Sequence, residues 1–194
     1  MPYDMGTVQG DPVDWFRRAL AWGSRAVAGV QAGQWNGPTP CSEWDVRRLV
    51  NHMVGNNIWY AGTMRGIDTN DGPDQQDLLG DDPVGAYQRS MADAQAAMDT
   101  PGCMERVLPF WGGVTGQLFT AEHFIDCYIH AWDLAKATGQ DTAMEHDLVE
   151  AAYAILEPDN GQPPVDTVWD FADVAEDPAA DLQARLLARA GRTG

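Results

Sequence analysis

The stretch from Asp126 to Gly139, DCYIHAWDLAKATG, decides how the chain folds. Asp126 and His130 stand four residues apart, which on a helix puts a carboxylate and an imidazole on one face within reach of a single ion. The helix that carries them is expected from about Gly116 to Ala137. Gly139 closes it, and Lys136 lies in its last turn, where a cation suits the helix dipole. His123, three residues before Asp126, shares the stripe, and Glu122 and Asp133 border it. Phe119, Phe124, Ile125, Cys127, Tyr128, Ile129 and Trp132 occupy the flanks. The plain alternative is the solvated face of an amphipathic helix. Against it stands the absence of any Lys or Arg between residues 118 and 133.

Working outward, His52 is the one other histidine set mid-helix among apolar residues, with Leu49, Met53 and Trp59 on its side. Alone it reads as a core histidine. If its helix and the 116–137 helix face one another in a bundle, it completes a set of two imidazoles and one carboxylate. Such a set leaves coordination positions open. The remaining helices follow from their caps. One opens at Asp11-Pro12, carries Val13, Phe16, Leu20, Val27 and Val30, and ends near Gly33. The His52 helix is capped by Ser42 or Asp45 and runs to about Gly66; another starts at Asp82-Pro83 and stops before Pro101-Gly102. Shorter helices are expected near 144–156 and 179–190. Residues 67–81 and the stretch through Pro158, Pro163 and Pro164 read as loops, and Arg106 to Phe110 as a short extended piece outside any sheet. The bundle takes residues 1–157 and a C-terminal extension packing on it takes 158–194.

The 194 residues suit one main domain, and 29 acids against 12 bases give a formal charge of −17, which repels nucleic acid and anionic lipid. The start, Met1-Pro2-Tyr3-Asp4, lacks the basic flank and apolar run of a signal peptide, and no segment is long and apolar enough to span a membrane, so a cytoplasmic protein is expected. Cys41, Cys103 and Cys127 are odd in number without CxxC spacing and read as buried, packing thiols. Cys127 points away from the Asp126/His130 face. Gly112, Gly113 and Gly116 precede a helix but no lysine follows, so they are a poor phosphate loop. His146 reads as a surface residue.

Three segments resemble a known family. They are TPCSEWDV from Thr39 with LVNH ending at His52, the Asp126–Gly139 run, and the tail DPAADLQARLLARAGR from Asp177 to Arg192. The chain resembles actinobacterial metal-binding proteins related to the N-terminal domain of mycothiol-dependent maleylpyruvate isomerase, within the DinB-like superfamily. The resemblance implies an all-α, up-down four-helix bundle with a short C-terminal helical extension. Its central cavity would bind a divalent ion, zinc first and nickel or iron as alternatives, through His52, Asp126 and His130. Trp44, Asp45, Trp132 and Asp133 match the motifs as helix-start and packing elements. Mycothiol is the cofactor the resemblance suggests. The sequence departs from the isomerase in that too little chain follows the bundle for a full second domain of the kind that helps hold that enzyme's substrate.

Three functions compete on this reading. The first is a metal-dependent, thiol-using isomerase or S-transferase acting on a small electrophile, with Arg48 and Asn56 as cofactor-binding residues. Arg48, Arg65 and Arg106 are the basic groups expected near the mouth to meet a carboxylated ligand. The second is a metal-dependent hydrolase or lyase with Glu122 or His123 as general base. The third is a non-catalytic metal-binding module. Bundle faces of this kind can also pair two copies into a homodimer.

Overall fold

The computed structural model describes residues 10–67, 76–109, 113–156 and 174–193. The readings of Met1–Asp4, of most of the 67–81 loop, of Gly112 and of the Pro158, Pro163 and Pro164 stretch lie outside these residues. The elements run α1 (Pro12–Ala28), α2 (Val46–Met64), α3 (Pro83–Met98), β1 (Val107–Leu108), β2 (Val114–Thr115), α4 (Gly116–Thr138), α5 (His146–Ile155) and, last among the described residues, α6 (Leu182–Arg189).

Each bundle helix begins where a side chain can accept from an orphan N–H of the first turn. Asp11, Asp45, Asp82 and Thr115 do this for α1, α2, α3 and α4, and proline follows the cap in α1 and α3. Asp45 rather than Ser42 caps the His52 helix. α1 stops at Ala28, short of the expected Gly33, and both α5 and α6 are a few residues shorter than expected. α4 closes at Gly139 in the left-handed region, φ +70°.

α1 packs against α4 and α3, and α2 packs against α3 and α4. His52 on α2 and the Asp126/His130 pair on α4 therefore sit on neighbouring helices. Nearly every residue of α4 is buried, polar ones included. This helix is covered on all sides rather than amphipathic, which disposes of the solvated-face alternative. Phe16, Tyr60, Phe119, Phe124 and Tyr128 fill one half of the core, and Val27, Leu49, Met53, Tyr87 and Leu134 the other.

A small sheet corrects the expectation of none. β1 and β2 pair antiparallel, Val107 with Thr115 and Leu108 with Val114, directly before α4. Two-residue strands are too short to show alternation, so the sequence carries no period-2 signal there. The described end of the 67–81 loop is pinned rather than loose: Asn51 donates to Gln76 O and accepts from Leu78 N, Arg47 pairs with Asp77, and Leu79 is buried. α6 packs on α5. No helix among the described residues is long and apolar enough to cross a membrane.

Candidate metal centre

The structure brings His52, Asp126 and His130 together: one donor atom from each lies within 4.8 Å of the other two. His52 Nε2 is 3.7 Å and His130 Nε2 3.4 Å from Asp126 Oδ1. Ligands about 2.0–2.1 Å from a tetrahedral zinc stand about 3.3 Å from one another, so the His130 separation is close to that edge length and the His52 separation a few tenths of an ångström longer. Asn56 Nδ2 donates to Asp126 Oδ2 at 2.6 Å and lies 3.1 Å from His52 Nε2. It holds one carboxylate oxygen and leaves the other turned toward both imidazoles.

The far side of His130 is held as well. Its Nδ1 donates to Asp133 Oδ2 at 3.0 Å, which fixes a proton on Nδ1 and makes Nε2 the nitrogen that would give up its proton to serve as a ligand. Asp133 is fully buried and also accepts from Arg192, at 3.1 Å from Nε and 2.7 Å from Nη2. Asp133 is thus more than the packing element the sequence suggested. The loop before α2 supplies the roof. The single Thr39 hydroxyl proton lies between Trp44 O at 2.9 Å and Cys41 O at 3.1 Å, and Cys41 N–H donates back to Thr39 Oγ1. The Trp44 ring lies 4.5 Å from the His52 ring and 5.7 Å from that of His130, centroid to centroid, so it is part of the centre and not only a helix-start residue. Cys41 Sγ donates to Asp133 Oδ2 at 3.3 Å and stands 3.9 Å from His130 Nδ1. That corrects the reading of Cys41 as an inert packed thiol, whereas Cys103 and Cys127 are buried as expected.

Cys41, His130 and Asp133 form a second donor group. The Arg192 guanidinium already lies between Asp133 and Cys41, 3.4 Å from Sγ, and a fixed cation there disfavours a divalent ion. The electrostatics of the main group are strongly coupled. Burial works against charge on Asp126, yet His130 and His52 outweigh it and hold the carboxyl well below its usual range. Burial likewise opposes a charged His130, and Asp126, Asp133 and Cys41 together raise its pKa well above normal. Asp133 is lowered, with His130 and Arg192 overcoming its burial.

His123 takes a different place. Its Nδ1 donates to Phe119 O at 3.1 Å, and Phe16, Trp59, Tyr60 and Phe119 surround the ring. Burial pushes its pKa down to about 4, and Nε2 has no hydrogen-bond partner among the described residues. Glu122 is buried beside it in the sequence. Of the three arginines sought at the mouth, Arg48 lies 6.0 Å from the Trp44 ring centroid. Arg65 instead pairs with Asp93, and Arg106 donates to Met64 O. An arginine that does reach the centre is Arg192, which no spacing rule singles out.

Residues 16–135 match the model of the mycothiol maleylpyruvate isomerase N-terminal domain. The chain belongs to that family. Its similar proteins include the uncharacterized proteins MT0763 and Rv0738 of Mycobacterium tuberculosis, from strains CDC 1551 / Oshkosh and ATCC 25618 / H37Rv. Each is 35% identical over 192 residues, which cover 94% of this chain and 100% of the relative. The fold is similar to the crystal structures of the mycothiol-dependent maleylpyruvate isomerase and of a histidine-to-alanine mutant of it. In each case the TM-score is 0.61 at 14% identity, over 75% of this chain and 68% of the other. The all-α, DinB-like bundle expected from the family resemblance is therefore the architecture of this chain.

Proposed function

We propose that this member of the family is a metal-dependent enzyme that uses a low-molecular-weight thiol, mycothiol, to isomerise or S-transfer a small electrophilic substrate. His52 Nε2, Asp126 Oδ1 and His130 Nε2 hold the ion, and the observation that carries the reading is their convergence within 4.8 Å of one another on two facing helices, with Asp133 bonded behind His130. Zinc suits two imidazoles and one carboxylate; nickel and iron accept the same set. A divalent ion there supplies Lewis acidity that lowers the pKa of a bound thiol.

The chain's own groups do the rest. Asn56 fixes which oxygen of Asp126 faces the imidazoles. Trp44 covers both histidine rings and limits water on that side. Arg48, beside Trp44, is the cation for an acidic group of thiol or substrate in a protein of net charge −17. His123 stays neutral at physiological pH, and its unpartnered Nε2 is available to accept a hydrogen bond from a ligand group, with Glu122 next to it in the chain. The substrate is a small molecule.

The test is metal analysis of untagged protein, followed by a screen of small electrophiles with and without mycothiol. Near-stoichiometric metal and turnover that requires the thiol support the reading. Turnover without thiol favours a hydrolase or lyase, and metal without any turnover favours a binding module.

A further inference from the structure

The proposed ion site is built on two neighbouring helices, but one of its supports comes from the far end of the chain. α6 closes with Gly191 at φ +74°: the Gly191 N–H donates to Ala188 O at 2.9 Å and the Arg192 N–H to Leu187 O at 2.8 Å. This pair of bonds is a Schellman closure, and the left-handed turn at its corner favours glycine. It delivers Arg192 to the bundle. The Arg192 side chain is 10% exposed and the Asp133 side chain it meets is 0% exposed.

Arg192 makes two bonds to that carboxylate, Nε to Oδ1 at 3.1 Å and Nη2 to Oδ2 at 2.7 Å, which fix its plane as well as its position. The same Oδ2 accepts from His130 Nδ1 at 3.0 Å, and His130 Nε2 stands 3.4 Å from Asp126 Oδ1. Guanidinium, carboxylate and imidazole thus form one continuous line that ends at the proposed coordination point. A buried ion pair of this kind is a poor source of stability, because desolvation offsets most of its attraction. Its effect is orientation: partners behind a ligating histidine set the ring's angle and the affinity of the site.

We propose that Arg192 is a positioning residue for the ion site, holding Asp133 so that Asp133 holds His130, and that the C-terminal segment thereby sets metal affinity. This rests on the reading that His52, Asp126 and His130 bind the ion.

The test measures zinc affinity by competition with a chromophoric chelator for the native chain, Arg192→Ala, Arg192→Lys, Asp133→Asn and the Asp133→Asn/Arg192→Ala double variant. In parallel, NMR follows the His130 Nδ1–H resonance in metal-free protein. Arg192→Ala is expected to weaken zinc binding by about 10–100-fold. Arg192→Lys recovers part of this, since an ammonium cannot bind the carboxylate in the two-point mode. In the Asp133→Asn background, removing Arg192 costs little more, because the line is already broken. The Nδ1–H resonance of Arg192→Ala broadens by exchange with water.

A folded Arg192→Ala protein that binds zinc as the native chain does overturns the proposal. So does a loss of equal size with and without the Asp133 carboxylate, which marks Arg192 as a general anchor of the tail. If Arg192→Ala does not fold, Gly191→Ala keeps the arginine but strains the turn that delivers it to Asp133; it should weaken zinc binding in the same direction, and unchanged affinity overturns the proposal. Native protein that binds no zinc defeats the ion site and the claim on affinity with it. The Nδ1–H resonance then decides separately whether Arg192 holds the ring.

Discussion

His123 and His130 lie seven residues apart on one buried helix, and their surroundings give them opposite electrostatic characters. His130 has carboxylates on both nitrogens, Asp126 near Nε2 and Asp133 on Nδ1, and its pKa is raised. His123 has a backbone carbonyl on one nitrogen, aromatic rings around it and a pKa pushed down to about 4 by burial. Periodicity places both on one stripe but is blind to what the neighbouring helices bring to each turn. The end of the stripe that meets α2 beside the Thr39–Trp44 loop becomes a polar cluster, and the end that meets Phe16 and Tyr60 becomes an aromatic box.

The largest difference should appear in metal content. His130→Ala removes one of three proposed protein ligands, and near-stoichiometric metal should fall to background. His123→Phe, which keeps the box aromatic, should leave metal content unchanged. Mass spectrometry of the two purified variants checks this. Equal loss in both would erase the distinction drawn between the two ends of the stripe.

Much of this contrast's framework was legible in the sequence, for local reasons. Caps at Asp11, Asp45 and Asp82, the closing Gly139, and the four-residue step from Asp126 to His130 are all set by nearest neighbours along the chain. His52 joined the set because a bundle has few ways to pair its apolar faces. What escaped was convergence from distant segments. Cys41 arrives on a loop held by Thr39, and Arg192 on a helix closure 59 residues beyond Asp133. No period links these positions. Asp133, three residues after His130, did carry a signal, since a carboxylate at that step can reach a histidine's second nitrogen. The two-residue strands fell below any pattern's resolution.

A smaller effect separates the histidines in acid. With a folded pKa of about 4 against an ordinary 6.5, His123 stays neutral in the folded chain while the unfolded chain takes up a proton. Its contribution is therefore complete above pH 6.5 and is lost as pH falls from 6.5 toward 4, by about 3 kcal/mol in all. His123→Phe lacks this loss. Urea unfolding at neutral pH and near the lower end of that window should show the native chain losing about 2–3 kcal/mol more than the variant. Titration of Asp126, Asp133 and His130 is common to both proteins and cancels in the difference. An identical acid response in the two would mean that His123 is not held neutral by its aromatic box.

The smallest effect probes the two faces of His130 itself. Its Nε2 belongs to the group with His52 and Asp126, and its Nδ1 to the group with Cys41 and Asp133, so only one nitrogen can be the proposed ligand while the other carries the proton. Because the Arg192 guanidinium already bonds both Asp133 and Cys41, the proposed ion is expected on the Nε2 face. Cys41→Ser replaces a weak S–H donor to Asp133 with a stronger O–H donor of smaller size. It should change stability by less than about 1 kcal/mol and leave metal content intact. Cobalt-substituted protein should likewise lack a thiolate-to-metal charge-transfer band. Loss of the ion in Cys41→Ser, or such a band in the native chain, would move the ion to the Nδ1 face. His52 would then be a packed neighbour of the site, and the convergence around Asp126 Oδ1 an accident of two helices meeting.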